Sequence, residues 1–420
     1  MKNVLFITYF WPPSGKASLH WPLFIIKHLP TFGWQPSVIT VDEDSFSHKD
    51  ESLLAVVPPN LEVVKTAANE PFNLYRKFLG KNPNSPLVAS ETISLENTDW
   101  KHRASIWIRM NLFVPDARVG WYFSAVRGGK RMLSQKKIDA IVSIGPPHSS
   151  HLIGKTLSQQ FTVPHIPVLI DPWVDIVYYK NFKRSRLTLQ LDNYFERTTL
   201  ANASRVIFVT HSMCDDYKKK YAWLEKKSHV LYWGYNEEYF ENVTRQSQST
   251  QPEIILHAGN IFDYQNPRGF WKNVKREIEQ GRHLRLRFIG TVSPEIKKTI
   301  ESIGLQPYTE YKGFLPYNEV IQEMMNARYL LVCATEKRHV PGKLFEYLRT
   351  GNTIIAFGDD NTEVAEILNR ANAGRMFPYQ YDGDDIFRLV ETASPNASVV
   401  RSYSRENIAK ELSTILNAVT

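Results

Sequence analysis

In residues 338–351 (RHVPGKLFEYLRTG), Pro341-Gly342 closes a loop, Lys343 opens a helix, and Glu346 follows one turn later on nearly the same face as Lys343 and Gly342. A helix N-terminus carrying a glycine and a lysine suits a diphosphate, and a carboxylate one turn further in can accept two hydrogen bonds from a ribose diol. The same spacing also fits a solvated i to i+3 charge pair on a surface helix. Three more residues stand where a parallel sheet would present them to a ligand, at the carboxyl ends of strands. His148, in GPPHSSH, follows the apolar run 139–144, whereas His151 falls inside the next helix. For His148, substrate contact and a structural role are both open. Asp171, in IDPW, either contacts an acceptor hydroxyl or caps the turn after it. Gly15, in WPPSGKAS, either caps a strand-to-helix turn whose N–H groups face an anion or is a plain turn glycine.

Other chemistries lose support from what is missing. The first strand is followed by a single glycine, so the dinucleotide fingerprint GxGxxG is absent and a dehydrogenase is disfavoured. Gly154-Lys155-Thr156 resembles the end of a P-loop, but Ser149 occupies the place of its first glycine, and the segment reads as helix interior. Cys214 and Cys333 have no CxxC company, which argues against a disulfide framework or a structural zinc site and suits a reducing compartment. Asp359-Asp360 and Asp384-Asp385 read as solvated loop acids, so no metal site is expected. No stretch approaches the roughly 20 apolar residues of a spanning helix. A cytoplasmic, non-integral protein is expected.

The elements that must position these residues alternate. Apolar runs at 3–9, 37–41, 61–65, 139–144, 165–170, 205–209 and 229–232 read as strands, separated by helical stretches such as 17–29, 121–137, 149–161 and 187–201. Residues 67–105 are polar and mixed and read as an insertion. The tract 241–252 (ENVTRQSQSTQP) reads as a linker, after which strands at 253–257, 285–289, 310–312, 329–333 and 353–357 alternate with helices again. The expected class is α/β, with Rossmann-like domains at 1–240 and 253–400 and a C-terminal helix at 401–420.

Charge separates the two halves. The chain has a net charge of +8, from 29 Lys+Arg against 21 Asp+Glu in residues 1–240 and 22 against 22 in residues 241–420. The excess clusters at Arg127, Lys130, Arg131, Lys136 and Lys137, at 180–186, and at Lys218, Lys219 and Lys220. A nucleic acid, a membrane surface, a phosphorylated substrate and a plain solvated surface all fit it.

In this order, YFWPPSGKAS, VPDARVGW, IVSIGPPHSSHLIGKTL with IDPW, GYNEEYF, ILHAGN with NPRG, YKGFLPYNEVIQEMMNARYLLV and VPGKLFEYLRTG resemble glycosyltransferase family 4, especially its bacterial members that build surface polysaccharides. The resemblance spans nearly the whole chain and implies the GT-B fold of two facing Rossmann-like domains, the first binding an acceptor and the second a nucleotide-sugar donor. It implies a retaining, metal-independent transferase that needs no cofactor and takes a nucleotide diphosphate sugar as donor. Glu346 matches the family glutamate that holds the ribose. Arg338 stands where the family has its first glutamate and is available to the diphosphate. Arg268, before Gly269, matches the cation that neutralises the leaving group. Asn260 after Gly259 replaces a family arginine, Gly313-Phe314 begins the base-binding loop, and Gly15 matches the loop facing the donor phosphate and the acceptor.

On this reading Arg268, Lys343 and the N-terminus of the Lys343 helix stabilise the departing diphosphate, with His148 and Asp171 on the acceptor side. The expected acceptor is a glycan or a lipid-diphosphate-linked sugar, and the basic first domain is expected to attach peripherally to an anionic membrane at its cytoplasmic face. A non-hydrolytic nucleotide-sugar epimerase shares the architecture and is the alternative. A nucleic-acid-binding protein is a more distant one, since no nucleic-acid module is recognisable.

Overall fold

The computed structural model describes residues 1–46, 48–68, 100–176, 182–241, 243–245, 252–391 and 393–420, without the side chains of 100–103 and 105. Most of the expected insertion (69–99), most of the expected linker (242 and 246–251) and Lys180 lie outside the described residues. The chain divides into two compact units, Met1–Leu231 with Ala409–Thr420, and Tyr232–Ile408.

The first unit is built on β1 (Lys2–Ile7), β2 (Trp34–Val41), β3 (Glu62–Thr66), β4 (Ala140–Gly145), β5 (His165–Leu169), β6 (Val206–Phe208) and β7 (Ser228–Val230). They form one seven-stranded sheet in the order β3-β2-β1-β4-β5-β6-β7, with every pairing parallel. Val4, Leu5, Phe6 and Ile7 are all buried, as a strand covered by helices on both faces requires. Strand order reverses between β1 and β4, which makes the carboxyl ends of those strands the place where such a sheet receives a ligand.

The second unit repeats the plan with β8 (Glu253–Ala258), β9 (Leu284–Ile289), β10 (Thr309–Gly313), β11 (Tyr329–Cys333), β12 (Thr353–Phe357) and β13 (Gly374–Phe377). Its order is β10-β9-β8-β11-β12-β13, again parallel throughout. Alternation along β11 feeds two cores: Leu330 and Val332 join one cluster with Leu256 and Phe345, while Tyr329, Leu331 and Cys333 join the other with Phe270 and Phe357. The reversal here falls between β8 and β11.

Several elements differ from the sequence expectation. Helix Trp100–Leu112 begins inside the stretch read as an insertion. Strand β13 is masked by its mixed burial, with only Phe377 fully inside. Helices Ile386–Val390 and Ala397–Ser402 are too short for a period to show. The C-terminal helix runs Arg405–Asn417; it is cut from the preceding turn where Tyr235 N–H donates to the Tyr403 carbonyl (3.1 Å) and Arg405 N–H to the Tyr235 carbonyl (2.9 Å).

Candidate active site

At the switch point of the second unit, β8 ends at Ala258, and the loop after β11 leads to helix Lys343–Thr350. Lys343 Nζ lies 2.8 Å from the Ala258 carbonyl and 2.8 Å from His257 Nε2. Burial lowers the Lys343 pKa from its usual 10.5 to about 8. Burial, and then the neighbouring ammonium, hold His257 well below its usual range, so the imidazole is neutral and accepts the bond. Gly259 turns the chain with φ +110°, a value that disfavours any side chain. Gly290, at the end of β9, has no room for a Cβ, which would stand 2.8 Å from the Gly259 backbone. Backbone therefore lines this rim beside the lysine. Sequence reasoning missed Gly290, although a glycine directly after a strand, as at Gly259, was the signal.

Glu346 follows one turn into the same helix. Its Oε1 accepts a hydrogen bond from the Tyr317 hydroxyl. Burial raises its pKa, opposed by that bond and by the charges of Arg405 and Lys343. Tyr317 stacks edge-on against Tyr239 at 4.7 Å, and Arg405 is 3% exposed. Tyr317 and Arg405 were not legible as site residues, because helices distant in sequence supply them. Gly342 gives Trp233 room against the helix start, where an added Cβ would come within 2.9 Å of the indole.

The remaining donor-side residues have partners of their own. Arg338 Nε lies 3.4 Å from Glu336 Oε1, in a loop pinned by Asn361, whose Nδ2 donates to the carbonyls of Glu336 and His339 at 2.8 Å each. Arg268 opens helix Arg268–Glu279, is exposed, and pairs with Glu295 at 2.9 Å. Asn260 Oδ1 accepts from Thr291 N–H at 3.1 Å and so joins the loops after β8 and β9. Phe314 follows β10 and is 81% exposed, open on its faces to a planar partner.

In the first unit, His148 and His151 form one buried cluster. His148 stacks on Trp173 at 5.0 Å with rings 7° apart and contacts His151 at 5.5 Å. Ser143 Oγ bridges His151 Nδ1 (2.8 Å) and His165 Nε2 (2.7 Å). Burial takes the pKa of His148 and of His165 down to about 3, so both rings are neutral. The two glycines nearby make room: a Cβ on Gly145 would meet His151 at 2.4 Å, and one on Gly154 would meet His165 at 2.4 Å. The P-loop look-alike is thus a helix notch for an imidazole.

Asp171 lies just past β5, and burial raises its pKa from 3.8 to about 6. The loop that carries it is tied down by Trp173 Nε1 donating to Asp192 (2.8 Å) and Trp173 N–H donating to the Tyr217 hydroxyl oxygen (2.8 Å). Asp116, which sequence reasoning quoted in VPDARVGW but did not single out, accepts from Ser149 N–H at 2.8 Å. Its carboxylate sits at the N-terminus of helix Ser149–Phe161, where an anionic ligand would otherwise bind. Gly15 donates its N–H to the His48 carbonyl (3.0 Å), and a Cβ there would meet the His48 ring at 2.2 Å. That N–H is committed to the fold.

Several of the basic residues are also internal. Arg184 pairs with Asp192 at 2.6 Å, both nearly inaccessible, and Lys220 pairs with buried Glu196 at 2.8 Å. Lys136, Lys137 and Lys218 pair with Glu62, Asp139 and Glu225. Arg127, Lys130 and Arg131 remain exposed on helix Tyr122–Gln135. Among the described residues, no group of three or more His, Cys, Asp or Glu has the geometry to hold a metal, and no helix is long and apolar enough to cross a membrane.

Residues 252–392 match the family model for glycosyl transferases group 1. No curated protein matches the sequence. Among solved structures, a glycosyltransferase from Rickettsia africae is 12% identical with a TM-score of 0.63, covering 100% of this chain and 98% of its own. Sucrose-phosphate synthase from Thermosynechococcus elongatus is 13% identical with a TM-score of 0.61, covering 100% and 99%. Anabaena HepE, in complex with UDP and glucose, is 12% identical with a TM-score of 0.60, covering 100% of both chains. At such identity the likeness is one of fold, and the two parallel Rossmann-like sheets are of the GT-B type. With the group 1 match falling on its second unit, the chain is a glycosyltransferase enzyme of GT-B fold.

Proposed function

We propose that the chain is a retaining transferase of glycosyltransferase family 4 that moves a sugar from a nucleoside diphosphate sugar to a hydroxyl on a glycan or lipid-diphosphate-linked acceptor, in surface-polysaccharide synthesis. The observation that carries this reading is Lys343, a lysine at a helix N-terminus, held at the switch point beside Gly259 with Glu346 one turn away. The diphosphate lies across that helix N-terminus. Lys343 and the N-terminus of its helix meet the negative charge that grows as the anomeric carbon–oxygen bond breaks. Arg268 and Arg338 exchange Glu295 and Glu336 for phosphate oxygens. Glu346 accepts from the ribose, and Phe314 stacks on the base. The UDP held by HepE, a protein of the same fold, supports a uridine nucleotide as the first donor to try.

The incoming hydroxyl forms the new bond on the face the leaving group vacates and passes its proton to the departing phosphate. No protein nucleophile is required. Asp171 and His148 stand on the acceptor side, and the basic first unit attaches peripherally to an anionic membrane from the cytoplasm. Incubation with nucleotide sugars, with and without acceptor, tests the proposal. Acceptor-dependent nucleotide release supports it, whereas an isomerised sugar still attached to its nucleotide overturns it in favour of epimerisation.

A further inference from the structure

Helix Arg186–Asn202 is inside out. The residues it buries are Thr188, Asp192, Glu196, Thr199 and Leu200, whereas Leu187, Leu191 and Tyr194 are 75%, 40% and 60% exposed. Spaced i, i+4 and i+7, those three form one stripe, the reverse of the usual amphipathic arrangement. The polar inner face has a clear task. Asp192 holds Trp173 and Arg184, and Glu196 accepts from Val174 N–H and from the hydroxyls of Tyr217 and Tyr221.

A second helix meets this one at its start. Asn111, near the end of helix Trp100–Leu112, accepts from Ser185 N–H at 2.6 Å and from the Thr188 hydroxyl at 3.1 Å. On that helix Leu112 is 65% and Trp107 52% exposed. Lys183, Arg186 and Arg197 are exposed on or beside the first helix. The two helices contain only two acids, Asp192 and Glu196, and both are buried.

We infer that this face is where the first unit rests on an anionic lipid surface. Leu187, Leu191 and Trp107 enter the boundary between headgroups and acyl chains, and Lys183, Arg186 and Arg197 meet lipid phosphates. Leucines rimmed by cations, on two helices that expose no acid of their own, are complementary to such a surface. A second copy of the chain would set cation against cation. The inference deepens the peripheral attachment proposed above and rests on it. It also gives that attachment a purpose: the helix lying on lipid holds, through Asp192 and Glu196, the loop that carries Asp171, and so presents that carboxyl to an acceptor borne by the same membrane.

Co-sedimentation of the full chain with vesicles of phosphatidylcholine, and of phosphatidylcholine with an equal part of phosphatidylglycerol, tests this. The native chain should bind the anionic vesicles and scarcely the neutral ones. Leu187→Gln with Leu191→Gln should lower that partition about tenfold or more. Arg186→Gln with Arg197→Gln should lower it too and flatten its dependence on salt. The thermal shift produced by UDP, read on the same samples, should not change, which separates loss of lipid binding from loss of fold or of the donor site. Absence of binding by the native chain removes peripheral attachment altogether. Binding that neither double variant weakens keeps attachment but overturns this face. A concentration-dependent dimer that the leucine variant dissolves assigns the face to a second copy instead.

Discussion

The ammonium of Lys343 is paired with the neutral Nε2 of His257 at 2.8 Å and with the Ala258 carbonyl at 2.8 Å, and no carboxylate among the described residues is bonded to it. A buried cation bonded only to uncharged acceptors has its charge offset in part by Glu346 one turn away, and an anion brought to it gains correspondingly. Two consequences follow from its pKa of about 8. The protonated fraction falls as pH rises through about 8, so donor affinity should fall with it. The unfolded chain, whose lysine keeps the usual 10.5, binds more protons between about 8 and 10.5, so folding stability should rise with pH across that window. Lys343→Met should lower kcat/KM by ~10²–10³-fold and abolish both pH effects. Steady-state kinetics and urea titrations at several pH values measure them.

Glu346 supplies a second pH signature. Its pKa is raised by burial and restrained by the Tyr317 hydroxyl. A ribose diol binds the ionised carboxylate, so donor KM should improve as pH rises through that raised pKa. Tyr317→Phe removes the restraining hydrogen bond and should move this limb to higher pH. Glu346→Ala should raise donor KM by ~10–100-fold while leaving the thermal midpoint near that of the native chain. A KM profile identical in Tyr317→Phe would separate the carboxylate from ribose binding.

Asp171 titrates on the acceptor side. With its pKa raised to about 6 by burial, kcat/KM for the acceptor should climb as pH rises through about 6, and Asp171→Asn should remove that limb. The sign for stability is opposite. Between 3.8 and about 6 the folded chain binds more protons than the unfolded one, so stability falls as pH rises through the window. Asp171→Asn should therefore be more stable than the native chain at neutral pH, by roughly 1–3 kcal/mol. Equilibrium unfolding at pH 5 and pH 7 decides the sign.

Gly154 tests the histidine cluster. A methyl group there would stand 2.4 Å from His165 Nε2, and the ring is fixed by its bond to Ser143. Gly154→Ala should cost about 1–3 kcal/mol, seen as a lower urea midpoint with an unchanged slope. A midpoint equal to the native value would mean that the imidazole moves aside freely.

The buried parallel strands were legible because their inward runs are continuous, and Tyr329–Cys333 and Thr353–Phe357 stand as the apolar pattern drew them, whereas half-exposed β13 was not. The start of helix Lys343–Thr350 was legible from Pro341 and Gly342. Arg405, Tyr317 and Asp116 were not, because each reaches its partner through a tertiary contact that no local period encodes. Helix Arg186–Asn202 was found as a helix, but the sequence pattern was not resolved into faces, and only Asp192 and Glu196 in their places show that the polar side points inward. The basic clusters misled in part for the same reason, since Arg184 and Lys220 are internal ion-pair partners.

Nucleotide release from a panel of nucleoside diphosphate sugars, measured with and without a lipid-diphosphate-linked acceptor for the native chain and Lys343→Met, bears most directly on the central claim. Release that requires acceptor, with the sugar recovered on the acceptor and the rate down ~10²–10³-fold in the variant, is the predicted result. Recovery of an isomerised nucleotide sugar, or transfer that proceeds equally well in Lys343→Met, would contradict it.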